Sequence, residues 1–253
     1  DPNQNNVQDE IAGDSSQVAA DSGAAQTVAS ERSTRSPMLW FAAGLIAAVV
    51  MPIVVQLLLS DEWKIPLPVE FYTIDSESFD QSDAMAIEAE NRAANFQQFL
   101  IGPGMVMAIV FGFCSGIISR RVGLGILGVA VGCLVAYLIP QVATARLLDL
   151  ERNAVGGNDG LAIGLHAAEW GVFVLAGWIA LAIGSGRLSF SLKALVAMGL
   201  AAVLGALVYV IGGIALDPQN STRVVTPLGG AARSLWTSLP PLLAGAILAR
   251  TTP

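Results

Sequence analysis

Residues 99–140 read FLIGPGMVMAIVFGFCSGIIS, then Arg120-Arg121, then VGLGILGVAVGCLVAYLIP. Two apolar runs stand on either side of a bare arginine pair. About 20 apolar residues at 1.5 Å each cross a hydrocarbon core of about 30 Å, and each run comes close to that length. Backbone polar groups find no water in lipid, so both runs should be α-helical and the arginine pair should turn the chain back.

Four further runs of the same kind lie outward of this hairpin, at Met38–Leu59, Leu161–Ile183, Lys193–Leu216 and Pro227–Arg250. With Phe99–Ser119 and Val122–Pro140 they predict an all-α, polytopic membrane protein of six transmembrane helices within residues 38–253. Composition agrees: apolar residues make up 54% and charged residues 13% of the 253, whereas soluble domains carry about 25% charged residues. Much of the net charge of −7 sits in the N-terminal segment and in one acidic loop, which argues against a nucleic-acid partner and leaves the bilayer as the first partner.

Residues 1–37 are rich in Asn, Gln, Ser, Ala and Asp and show no sustained apolar period. Such a segment buries too little surface to offset its ordering entropy, and a disordered cytoplasmic tail is expected. The chain opens on Asp1 rather than Met, which reads as a fragment or a trimmed chain. Its first apolar run exceeds the core of a signal peptide, about 7–15 residues, and reads as a retained helix.

Arginine and lysine in the short connections set the orientation. Arg120, Arg121, Arg187, Lys193 and Arg250 fall on the side of both termini, so that side is expected to be cytoplasmic in a multi-pass cell-membrane protein. Residues 60–98 then form an acidic outer loop. Within it Val69–Ile74 could pair as a strand, Ser78 with Gln81 fits a capping box, and Glu88 with Arg92 fits an i, i+4 pair. A helix from this box should run into the second span until Gly102-Pro103-Gly104 interrupts it. No calcium-loop spacing accompanies the carboxylates, so a solvated acidic face is the expectation.

Small residues mark the packing faces. Gly112 and Gly116, Gly128 and Gly132, Ala201 and Gly205, and Ala202 and Ala206 each recur at four-residue spacing, which lets helix backbones approach. These faces would also serve a homo-oligomer or other membrane proteins. Gly123, Gly125 and Gly128 spell a dinucleotide-binding pattern, but they sit inside an apolar span without a βαβ unit and read as packing residues. Pro240-Pro241 removes two backbone donors from the sixth run and should kink or break it. Cys114 and Cys133 read as small buried hydrophobes.

Ionisable residues within spans are expensive, and they carry the functional reading. His166 and Glu169 share a face of the fourth run, and Arg233 lies in the sixth; Glu169 and Arg233 fall roughly 4–8 Å to the outer side of mid-span at 1.5 Å per residue. One reading pairs Glu169 with Arg233 and surrounds them with His166, Tyr137 and Tyr209 in an outward-facing substrate or proton pocket. The other lets His166 and Arg233 snorkel to the interface and assigns the tyrosines to the aromatic belt. No nucleophile-and-base set, metal set or phosphate loop accompanies them, so neither catalysis nor a cofactor or metal is expected. Small-solute or proton-coupled transport is the favoured function, with a non-catalytic accessory or assembly subunit of a membrane complex as the alternative.

Overall fold

The computed structural model describes residues 37–60, 64–68, 81–155, 159–216, 222–227 and 230–251. Six helices occupy most of them: α1 (Pro37–Leu58), α2 (Gln81–Ile118), α3 (Val122–Val155), α4 (Asp159–Ser185), α5 (Leu188–Leu216) and α6 (Gly230–Thr251). Five of these, α1 to α5, are long and apolar enough to cross a membrane; α6, with Arg233, four hydroxyl residues and two prolines, is not among the five. The expected tail up to Ser36, and the strand and capping-box serine expected within 69–80, lie outside the described residues.

Sequential helices run antiparallel, and the contacts that join them fall at small residues. Between α2 and α3, Gly116 meets Gly125, Gly112 meets Val129, Gly132 meets Ala108 and Gly104 meets Ala136. Between α3 and α4, Gly128 lies on the Ala180 carbonyl. Ser115 Oγ of α2 donates to the Leu181 carbonyl of α4 at 2.8 Å, and Ser119 Oγ to Gly184 at 2.8 Å. Trp170 of α4 fills the gap left by Gly205 of α5. Lipid tails are as apolar as the helices, so close backbone approach and such hydrogen bonds, rather than water exclusion, favour association here.

Helix α6 lies along α1 for most of its length. Arg233 Nη1 donates to Gln56 Oε1 at 3.1 Å, Ser238 Oγ donates to the Ala48 carbonyl at 2.8 Å, and Gly245 rests on Gly44. At one end of the bundle, called here the Arg120 end, the α2–α3 and α4–α5 turns meet the start of α1. At the other, the Glu151 end, lie the end of α3, the start of α4 and segments 64–68 and 222–227.

Three sequence expectations are corrected. Helix α2 runs through Gly102-Pro103-Gly104 without a break. One lost hydrogen bond is outweighed by packing on both flanks, where Gly102 lies against Val54 and Leu58 and Gly104 against Ala136. Helix α3 likewise continues past Pro140 to Val155, so its 34 residues extend about 51 Å, well beyond a hydrocarbon core of about 30 Å. The break among the outcomes expected at Pro240-Pro241 is absent: both are buried within a continuous α6, where the Pro241 carbonyl meets Gly44.

Both turns at the Arg120 end close with left-handed backbone. Gly186 has φ 59°, the conformation glycine adopts freely. Arg120 has φ 56° and occupies the corresponding position of a Schellman cap: Arg121 N–H donates to the Gly116 carbonyl at 2.8 Å and Arg120 N–H to Ile117 at 3.1 Å. For a residue with a Cβ that conformation costs about 1–2 kcal/mol.

Candidate functional site

His166 begins the site because both of its ring nitrogens are engaged. It lies in α4 three residues before Glu169, one helical turn, so the two side chains share a face. Nδ1 is 2.7 Å from Glu169 Oε2, and Trp236 Nε1–H of α6 donates to Nδ1 at 3.0 Å. Nε2 is 2.8 Å from the Thr222 carbonyl, which can only accept, so Nε2 carries a hydrogen. His166 and Glu169 both have 0% exposure.

These bonds leave one further proton to be held between Nδ1 and Oε2. On Oε2 the pair is neutral, and Nδ1 accepts from both Glu169 and Trp236. On Nδ1 the pair is an imidazolium beside a carboxylate, and Trp236 Nε1–H loses Nδ1 as its acceptor. Net charge is zero either way, the condition on which ionisable groups survive in a low-dielectric interior. The proton can thus cross a 2.7 Å gap without leaving a net charge in the bundle.

Aromatic rings enclose the pair. Tyr209 of α5 meets the imidazole edge-on with centroids 4.7 Å apart, and Trp170 and Trp236 lie 6.4 and 6.3 Å from it. Phe99 and Phe173 pack on Trp236 at 5.2 and 5.6 Å. Glu169 Oε1 and Trp170 Nε1 are buried without a hydrogen-bond partner, an acceptor and a donor left over in one cluster.

A strap of chain, residues 222–227, closes the Glu151 end of this cluster. Each of its anchors reaches a different place. The Thr222 carbonyl takes the bond from His166 Nε2. Arg223 pairs with Asp159 at the start of α4 at 2.8 Å. Val225 N–H donates to Glu151 Oε1 of α3 at 3.1 Å, and the Pro227 carbonyl accepts from Arg233 Nε and Nη2 of α6 at 3.2 Å. Glu151 is itself gripped by Arg92 of α2 through both carboxylate oxygens, at 2.5 and 2.6 Å. Three helices, α3, α4 and α6, therefore hold the strap, largely through charged side chains, and Arg92 of α2 steadies one of them.

The residues read from the sequence divide accordingly. His166, Glu169 and Tyr209 come together, whereas Tyr137 stands half-exposed on α3 and makes no ring contact with them among the described residues. Arg233 turns to Gln56 and the strap, and Glu169 to His166, so the expected Glu169–Arg233 pair is replaced by two local arrangements. Arg92 likewise reaches Glu151 rather than Glu88. The pattern missed Trp170, Trp236, Thr222 and Glu151. Trp170 follows His166 by one turn and could have been found by that spacing; Glu151 could have been found by extending α3 through Pro140. Asn91 and Asn95 of α2 hold Ile65 and Pro66 by side-chain bonds of 2.8–3.1 Å, a second clamp at the same end.

No family model, curated protein or solved structure matches the chain.

Proposed function

We propose that the chain is a six-span membrane transporter in which His166 and Glu169 bind and release the coupling proton, beneath a strap that opens toward the outer face. The observation that carries this reading is the fully buried His166–Glu169 pair, with Nδ1 and Oε2 2.7 Å apart. An ionisable pair inside a membrane bundle marks a proton or solute path by default, and histidine changes charge in the physiological range when its surroundings change. The antiparallel alignment of α6 along α1 supports counting α6 as the sixth span. The five cations at the Arg120 end support a cytoplasmic position for that end and for both termini. Arg233 acts by holding the strap at Pro227, Tyr209 by walling the pair, and Tyr137 by contacting the solute or the lipid from α3. Catalysis is no part of the proposal.

Proteoliposomes on a solid-supported membrane test it. Rapid exchange onto amines, amino acids, sugars or organic acids under a proton gradient is expected to give a transient current for at least one class. Glu169→Gln should abolish that current, and Arg146→Gln, an exposed change on α3, should preserve it. Silence toward every class, or a current indifferent to Glu169→Gln, would overturn the assignment.

The second reading, an accessory subunit, draws on α3. Only 22% of its most apolar window is buried, against 39–56% for the other four helices. Ile126, Leu127, Leu134, Tyr137, Leu138 and Val142 are exposed along it. Lipid satisfies such a face, and so would a helix of another subunit.

A further inference from the structure

We infer that the joined α2–α3 and α4–α5 turns form a binding site for the phosphate headgroup of an anionic phospholipid. Arg120, Arg121 and Arg187 lie within two turns that touch: Ser119 Oγ bonds the Gly184 carbonyl at 2.8 Å, and the Arg121 guanidinium lies over Gly186, where a Cβ would come within 2.6 Å of Nη1. Glycine at 186 thus leaves room for the arginine as well as permitting the turn. All three arginines are exposed.

Among the described residues, no carboxylate balances this charge. No ion pair joins any of the three to a carboxylate among the described residues. The described acidic residues lie elsewhere: Asp83, Glu88, Glu90, Asp149, Glu151 and Asp159 belong to the Glu151 end, and Glu169 is interior. Like charges brought together repel unless a counter-charge joins them. Guanidinium groups match phosphate oxygens in planar, two-pronged geometry.

Backbone strain points the same way. Arg120 holds the left-handed φ of 56° at a cap position where glycine would sit without penalty, and strain kept at one position asks for a function there. The turns join membrane-length helices, so they lie at the level of lipid headgroups, where basic pockets between helices hold anionic lipid. A phospholipid, anchored by its tails beside α2 to α5, fits this position better than a soluble phosphate.

The inference goes beyond transport and does not depend on it. Its test uses the full chain in nanodiscs of phosphatidylcholine mixed with phosphatidylglycerol, with retained lipids identified by native mass spectrometry. Phosphatidylglycerol should be retained in preference to phosphatidylcholine. Arg120→Gly, which keeps the turn, combined with Arg121→Gln and Arg187→Gln should lower that preference by roughly a hundredfold. Arg146→Gln with Arg152→Gln, at the opposite end, should leave it unchanged. If the triple variant does not fold, Arg187→Gln alone should lower the preference roughly fivefold. Equal retention of the two lipids, an unaltered preference in the arginine variants, or an equal loss in the control would overturn the site. So would inorganic phosphate raising Tm in phosphatidylcholine discs as much as phosphatidylglycerol does, since the ligand would then be a soluble anion.

Discussion

Glu169 forms its described hydrogen bond within its own helix, and this changes what its replacement should do. A Glu169–Arg233 pair would make Glu169→Gln strand a buried cation. With Arg233 on Gln56 and Pro227, a glutamine at 169 can still donate to His166 Nδ1, so Glu169→Gln should keep Tm within a few degrees while losing the exchangeable proton. Glu169→Ala removes the partner and opens a cavity, and should cost about 2–4 kcal/mol. Thermal unfolding in detergent checks both; a collapse of Glu169→Gln would show that the carboxylate itself is structurally required. Glu151 poses a different problem. Its carboxylate is 3% exposed and satisfies both Arg92 and the Val225 N–H. Glu151→Ala leaves that amide without its acceptor and should cost about 1–3 kcal/mol, with faster proteolysis within 222–227 as a second readout. His166, Glu169 and Tyr209 could be read as candidates because an ionisable or polar group in an apolar run is conspicuous. Their mutual arrangement could not, because among the described contacts Arg233 meets a glutamine side chain and a backbone carbonyl and Glu169 an imidazole, whose presence no spacing reveals.

At the scale of the helix, glycines separate into those that touch a neighbour and those that do not. A Cβ on Gly245 would stand 2.6 Å from the Gly44 Cα, and on Gly125 2.9 Å from the Gly116 Cα. Both contacts are backbone and cannot yield by rotamer change. Gly245→Ala and Gly125→Ala should therefore destabilise by about 1–3 kcal/mol. Gly199 meets nothing within 4 Å, and Gly199→Ala in the middle of α5 should be neutral or stabilise by up to about 1 kcal/mol. Melting of the three variants side by side checks the contrast; a loss at Gly199 as large as at Gly245 would mean the helices pack otherwise. The small-residue spacing announced these faces correctly for Gly112, Gly116, Gly128, Gly132 and Gly205. Proline misled the reading of helix ends: Pro103 and Pro140 each forfeit one backbone bond, and packing by Ala136, Val54 and Leu58 near the first offsets a loss that a sequence window treats as a stop. The same error hid Glu151, which lies in the stretch of α3 that a stop at Pro140 removes.

For the molecule as a whole, the two ends differ in kind. The Arg120 end is two tight turns rich in arginine, whereas the Glu151 end carries the long extensions of α2 and α3, the asparagine clamp on 65–66 and the charged strap. With α6 as the sixth span, single cysteines replacing Arg187 and Asn153, each in a background lacking Cys114 and Cys133, should label from opposite faces of the membrane. Labelling of both from one face would remove the six-span arrangement. Five of the six apolar runs were legible as membrane-length helices because lipid imposes length and polarity on a span. The strap was not, because it is held by side chains drawn from three helices.

Transport requires the space beneath the strap to meet water during the cycle, and Ala232 is the place to look. It is fully buried in α6, one turn before Trp236, and small enough that Ala232→Cys disturbs little. In intact cells lacking the native cysteines, a membrane-impermeant maleimide should label this cysteine slowly, and faster when Glu151→Ala loosens the strap. A cysteine at Asn153, exposed at the same end, should label at once as the control. Complete protection of residue 232 in both backgrounds, with the control labelled, would contradict a gated proton site and leave a sealed bundle whose partner is another protein.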